Sequence, residues 1–191
     1  MDFAELVDQI HGLKKPPGRP LIIAISGFGG SGKSTLASRL AAALTSTAVI
    51  PIDDFIRGPK DELSNDWHTF DRQRLRRDVL IPTHKQRPIR YRQYRSGEWV
   101  AGKGGAWRSV SPQNYLIIEG CSVLHPTLMS YYDLSVWIDC PEPFALLQAE
   151  ERDLNEGNDD VALWNDVWRL NDVVYFNTFH PDTLASIIVR L

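Results

Sequence analysis

Short apolar runs that stop abruptly at small or acidic residues are the strongest regularity along the chain. Leu21-Ile22-Ile23-Ala24-Ile25 is unbroken, largely β-branched and followed at once by glycines, the pattern of a strand covered on both faces in a parallel sheet. After the glycines, Leu36, Leu40 and Leu44 recur every four residues in an Ala-rich segment, which predicts a helix with one apolar face. Further runs predict strands at Ala48–Ile52, Tyr115–Ile118, Leu134–Ile138 and Ser186–Val189. The second of the five ends at Asp53-Asp54, the third at Glu119 and the fourth at Asp139. In open α/β sheets ligands bind at the carboxyl edge of the strands, so these acids are candidates for one cleft.

The intervening segments read as helices and one excursion. Residues 3 to 12 form a short amphipathic pattern, and Lys14 to Pro20 is a Pro/Gly connection into the first strand. Phe70–Leu80 is helical in pattern, and Pro143 to about Leu154 predicts another helix, closed by a break at Gly157-Asn158. Beyond that break Trp164, Val167, Trp168, Asn171 and Val174 would line one helical face. Ile89–Val110 mixes aromatic and β-branched residues with Arg and Gly, as a small hairpin does. The expected architecture is three-layer α/β with a mainly parallel five-stranded sheet, residues 1–191 forming a single domain.

Composition narrows the picture. With 191 residues, 43% of them apolar, the chain can bury a full core, which excludes a disordered or rod-like protein. A formal charge of -3 gives no overall pull toward nucleic acid or an anionic membrane, so neither partner is expected. Charge is nevertheless segregated: Arg72 to Arg108 holds eleven Lys and Arg against two acids, a net +9, while the rest nets -12. Such a segment either faces an anionic ligand or forms a solvated basic face. Two cysteines, Cys121 and Cys140, are too few for a disulfide framework and read as reduced, structural thiols. No basic start precedes an apolar stretch at the N-terminus and no run approaches membrane-spanning length, so a cytoplasmic location is expected. Trp99 and Trp107, if exposed, would offer an interface between copies of the chain, a homo-oligomer. His68, His84 and His180 do not recur at metal-ligand spacing, and no zinc is expected.

Chemistry enters with Gly27-Phe28-Gly29-Gly30-Ser31-Gly32-Lys33-Ser34, which matches G-x-x-x-x-G-K-[ST] and lies between a predicted strand and a predicted helix. Gly27, Gly29, Gly30 and Gly32, with Ser31, let successive N–H groups turn inward on phosphate oxygens at a helix N-terminus. Lys33 is then placed for the β and γ phosphates, Ser34 for Mg²⁺, and Thr35 comes next in the first helical turn. No Asn-Lys-x-Asp segment is present to read guanine, because the Asn-Asp pairs at 65, 158, 165 and 171 lack the Lys, so ATP is the expected nucleotide.

Together with Ile52-Asp53-Asp54-Phe55, Leu116-Ile117-Ile118-Glu119-Gly120 and Arg152-Asp153, this loop makes the chain resemble the uridine kinase family and its relatives. Those relatives are the phosphoribulokinase, pantothenate kinase and nicotinamide riboside kinase groups, and the resemblance runs over about residues 20 to 190. It implies an ATP- and Mg²⁺-dependent phosphotransferase acting on a hydroxyl of a small-molecule acceptor, with a uridine-like nucleoside as first choice. A vitamin precursor or anionic sugar is the alternative acceptor, and an ATP-binding regulator without turnover is the alternative outside enzymes. By resemblance Asp53 is the base that takes the acceptor proton, and Glu119 holds Mg²⁺ through water. Asp54 is the weaker choice of base, since neighbours leaving a strand point to opposite sides. Asp66, in Asp66-Trp67-His68-Thr69-Phe70-Asp71, stands where the family grips acceptor hydroxyls. Tyr91 and Tyr94, interleaved with Arg90, Arg92 and Arg95, would either stack on an acceptor ring or pack within the hairpin. The family closes an arginine-bearing lid over the phosphates, yet here residues 143–160 carry only Arg152 among acids. Either Arg152 acts alone, or Arg57, Arg90, Arg92 or Arg95 reach in from the excursion at about 57–112, or turnover is weak or lost.

Overall fold

The computed structural model describes residues 1–57, 62–94, 105–111, 114–157 and 161–190. Helix α1 (Phe3–Gly12) opens on a capping box between Asp2 and Glu5 and buries Leu6 and Ile10. Strand β1 (Leu21–Ser26) is buried at every position, passes through residues 27–32 and enters α2 (Lys33–Ala43). Strand β2 (Thr47–Pro51) runs into a 3-10 turn, Ile52–Phe55. Helix α3 (Arg72–Leu75), capped by the Asp71 carboxylate, continues through a π-helical stretch (Arg76–Leu80) into α4 (Ile81–His84). This helix starts two residues later and ends four later than the expected Phe70–Leu80. The wide turn, closed by Ile81 N–H on the Arg76 carbonyl, carries the chain past Pro82, which has no N–H to give.

The expected hairpin is present as β3 (Ile89–Arg92) and β4 (Trp107–Val110), paired antiparallel outside the main sheet. Strands β5 (Tyr115–Glu119), β6 (Leu134–Ile138) and β7 (Ile187–Val189) complete a five-stranded sheet in the order β2-β5-β1-β6-β7, parallel throughout. Helix α5 (Glu142–Asn155) precedes α6 (Val161–Leu163), a second π-helical stretch (Trp164–Trp168), α7 (Arg169–Phe179) and α8 (Pro181–Leu184).

Alternation along the strands builds the three layers. Leu21, Ile23 and Ile25 of β1 face Leu6, Ile10, Leu36 and Leu40 of α1 and α2, while Ile22 and Ala24 face a second apolar cluster with Phe55, Leu75, Val79 and Tyr175. Because every strand of the main sheet is parallel, all its carboxyl ends open on one edge, and the phosphate loop, Asp53 and Glu119 gather there. Among the described residues no helix is long and apolar enough to cross a membrane.

Candidate active site

The loop after β1 is shaped by close packing on its far side. Gly30 has φ +82°, and a Cβ there would lie 2.0 Å from the Ala145 carbonyl oxygen of α5. Gly30→Ala is therefore expected to cost at least about 1–3 kcal/mol of stability and to abolish nucleotide binding; thermal unfolding and ADP calorimetry check both. Gly32, also left-handed, stands at the N-cap of α2 with no side-chain cap, so the first N–H groups of that helix remain open to an anion. Ser31 Oγ is buried in the loop with no hydrogen-bond partner among the described residues, the state of a hydroxyl shaped for an oxygen acceptor. Lys33 Nζ donates to the Phe28 carbonyl at 2.6 Å, folded back along the loop. Thr35 lies one residue beyond Ser34 and lines, with Gln148 and Arg152, an adjoining depression of about 330 Å³.

Beside the loop lies a cleft of about 340 Å³ that brings together Lys33, Ser34, Asp53, Glu119, Arg152 and Asp172. The 3-10 turn after β2 sends its two carboxylates different ways: Asp53 is exposed into the cleft and Asp54 is buried away from it. Glu119, at the end of β5, accepts from Ser34 Oγ at 3.2 Å. Burial pushes the Glu119 carboxyl above the usual range, and Asp53 and Asp54 add to this against the pull of Lys33. For Lys33 burial works against the ammonium, but Cys121, Asp172 and Glu119 outweigh it and hold the group above the ordinary lysine value. A hydroxyl and carboxylates are the hard oxygen donors that Mg²⁺ takes, so Ser34 and Glu119 fit that ion.

The other expected site residues lie elsewhere. Tyr91 is fully buried, stacked on Phe55 at 4.9 Å, with its hydroxyl donating to Asp54 at 2.6 Å, so no ring face is left for an acceptor. Tyr94 lies under the Arg74 guanidinium, 4.4 Å from its ring centroid, and does not line the cleft. Asp66 is not in the cleft lining either: it forms an ion pair with Arg72 at 2.7 Å. Asp139 pairs with Arg190 at the surface. Arg152 does reach the cleft, half exposed, with its guanidinium on the Asp153 carboxylate at 2.6 Å.

The basic segment supplies no described residue to the cleft lining. Arg108 is held by Asp54 at 2.9 Å, Arg74 donates to the carbonyls of Asp54 and Arg92, and Arg57 donates to the His68 carbonyl. Arg90 and Arg92 flank the exposed Trp107 ring at 4.4 and 4.9 Å. Arg95 and Trp99 lie outside the described residues. These arginines tie the excursion together, each finding a carbonyl, an acid or a ring.

No family model matches the chain. Uridine-cytidine kinase C of Dictyostelium discoideum is 26% identical over 149 residues, covering 74% of this chain and 32% of the relative. The chain thus spans about a third of that curated relative. A candidate fructose transport system kinase from Silicibacter sp. TM1040 superposes with a TM-score of 0.78 at 26% identity, covering 99% of each chain. The chain is similar in sequence and fold to uridine kinase-like P-loop kinases. A candidate uridine kinase from Bacillus stearothermophilus, 19% identical with a TM-score of 0.74 over 97% of this chain and 96% of its own, shares the same fold.

The cleft also holds residues that the sequence does not announce: Asp172, Cys121 and an aromatic wall of Trp67, Phe70, Trp164 and Trp168. Asp172 is hidden by the π-helical stretch. A regular helix read from Trp164 puts Val167, Asn171 and Val174 on one face; Asn171 is buried as expected, but Arg169 N–H bonds the Trp164 carbonyl five residues back, and the wider turn brings Asp172 inward beside it. Tyr175, three turns on from Trp164, is buried on the same side, and Val174 is left exposed. Cys121 is no simple core thiol, for it stands in the cleft beside Lys33; burial pushes it up to about 12, so it stays protonated.

Proposed function

We propose that the protein is an ATP- and Mg²⁺-dependent kinase that phosphorylates a hydroxyl of a small acceptor, with a neutral, uridine-like nucleoside as the preferred class. The observation that carries this reading is the convergence of Lys33, Ser34, Glu119 and an exposed Asp53 carboxylate in one cleft walled by aromatic rings. Lys33 and the open N–H groups of α2 are disposed to bind the triphosphate, and Ser34 and Glu119 to hold Mg²⁺, which supplies charge neutralisation when bound. Asp53 is the group placed to orient an acceptor hydroxyl and take its proton. Trp67, Phe70 and Trp168 favour a flat or apolar face on the acceptor.

The cleft argues against an anionic sugar. Its described cations are Lys33 and Arg152, set against Asp53, Glu119, Asp153, Glu156 and Asp172, and no described arginine of the basic segment lines it, Arg108 and Arg72 being held by acids elsewhere. A neutral sugar remains compatible with the same lining. A regulator that binds ATP without turnover is favoured by one feature, the Arg152 guanidinium held on Asp153 rather than free for the phosphates. ADP release from ATP and Mg²⁺ over a panel of nucleosides, vitamin precursors, sugars and sugar phosphates separates these, with Lys33→Ala as control. Turnover on a neutral nucleoside that Lys33→Ala abolishes is the expected result; turnover confined to sugar phosphates, or tight ATP binding with none, would overturn it.

A further inference from the structure

Asp172 is 6% exposed and sits at the meeting of three parts of the chain. Its Oδ2 accepts the Gly29 backbone N–H of the phosphate loop at 2.5 Å, and its Oδ1 accepts the Trp67 indole N–H at 2.8 Å. The preceding residue, Asn171, holds the segment that carries Trp67: its Oδ1 accepts Ser64 N–H at 2.5 Å and its Nδ2 donates to the Glu62 carbonyl at 3.0 Å. Residues 62–67 therefore hang from two adjacent side chains of α7, and one of these also grips the loop where phosphates bind.

Two details show that the arrangement is built rather than incidental. Trp67 has φ +54°, a backbone region that a bulky side chain rarely enters and that persists only when its surroundings enforce it. The indole bond to Asp172 and packing on Phe70 at 5.4 Å are among the contacts that enforce it. Gly29 is explained from the same side: a Cβ there would lie 2.6 Å from the Trp164 ring and 3.2 Å from Asp172 Oδ2. A residue with a side chain at 29 would push the Trp164 ring aside and crowd the carboxylate.

We infer that Asp172 is a positioning residue that couples the phosphate loop to the acceptor-side loop at 62–70, so that nucleotide on the one orders Trp67 on the other. Both oxygens are committed to N–H donors, so Asp172 acts through Gly29 and Trp67 and not on the acceptor. With a phosphate on the loop, the Gly29 N–H is fixed, and the carboxylate transmits that restraint to the indole and to the strained backbone at 67. The inference rests on nucleotide occupying the loop, as the proposed kinase function requires, and is independent of which acceptor is used.

The test uses ADP with Mg²⁺ as probe and reads two signals in the full chain: hydrogen exchange of residues 62–70 and the Trp67 indole N–H resonance, assigned by its loss in Trp67→Phe. Adding the probe to wild type is expected to slow exchange in 62–70 by at least about fivefold, the lower end of ordinary site-to-site coupling, and to shift the indole resonance. Asp172→Asn keeps the volume but presents one acceptor oxygen to two donors, so it should still bind the probe while losing most of that response. Trp67→Phe, which removes the far donor together with part of the ring, should lose the exchange response as well, and it serves if the Asn variant does not fold. An unchanged response in either folded variant overturns the coupling. So does tighter ADP binding in Asp172→Asn by about tenfold or more, which would mark the carboxylate as a stand-in for phosphate. Wild type that binds no ADP sinks the kinase reading and the coupling together; binding without a response in 62–70 sinks the coupling alone.

Discussion

Asp53→Ala is expected to lower turnover by about 10²–10⁴-fold, the usual range for a lost general base, and to leave ADP affinity within about twofold. The asymmetry comes from where the carboxylate stands. It is exposed at the carboxyl edge of the sheet, in the same cleft as Lys33 and Glu119, on a short turn whose apolar residues Ile52 and Phe55 are buried beneath it. Truncating an exposed side chain opens no cavity in the core, so unfolding should shift by less than about 0.5 kcal/mol, as for ordinary surface changes. The nucleotide contacts proposed for residues 27–34 lie on a different loop and should survive. The measurement is steady-state turnover on the acceptor found by the panel, with ADP calorimetry alongside. A variant that keeps a tenth or more of wild-type turnover would remove Asp53 from the role of base, and a variant that loses ADP binding in step with turnover would make it a nucleotide or metal ligand.

The frame of this molecule was legible because its information is local. The three inner strands, β1, β5 and β6, are largely apolar runs buried at every position, and the phosphate loop is eight consecutive residues between one strand and one helix. Asp53 and Glu119 could be placed from strand ends alone, since parallel strands bring their carboxyl termini to one edge. What was not legible depends on partners distant in sequence. Tyr91 looks like a stacking ligand until the register of β3 against β4 turns it inward with Arg108, toward a carboxylate 37 residues earlier. The basic segment looks like an anion site until Arg108, Arg72, Arg74 and Arg90 are seen to be bound by Asp54, Asp66, backbone carbonyls and Trp107. Asp172 was lost to geometry of another kind: one wide helical turn at Trp164–Trp168 brings it onto the inner face beside Asn171, and helical periodicity carries no signal for such a turn.

The neighbour of the proposed base should behave in the opposite way, and the contrast is the sharper test of how the turn at 52–55 works. Asp54 is almost wholly buried and accepts three hydrogen bonds: from the Tyr91 hydroxyl at 2.6 Å, the Gln93 amide at 2.7 Å and the Arg108 guanidinium at 2.9 Å. Burial, with the Asp54 carboxylate adding to it, pushes the Tyr91 phenol far above its ordinary range, so it remains a donor at any physiological pH. Asp54→Ala leaves that hydroxyl and a partly buried guanidinium without their acceptor. Breaking a buried pair by removing one partner costs about 3–5 kcal/mol, and the 40% exposure of the Arg108 side chain places this case toward the lower figure, because water can reach that donor. Asp54→Asn keeps one oxygen and should lose roughly half as much, since a hydrogen bond to a neutral acceptor is about half as strong as one to a carboxylate. Urea unfolding with an unchanged denaturant slope checks the series. Because β3 and β4 are fastened to the turn through this carboxylate, the loss should fall on the excursion, and any loss of turnover in Asp54→Asn should be recovered at temperatures well below its unfolding midpoint. Equal stability of Asp54→Ala and Asp53→Ala would mean that the hairpin is held by its apolar face, Ile89 and Tyr91, and not by the carboxylate between them.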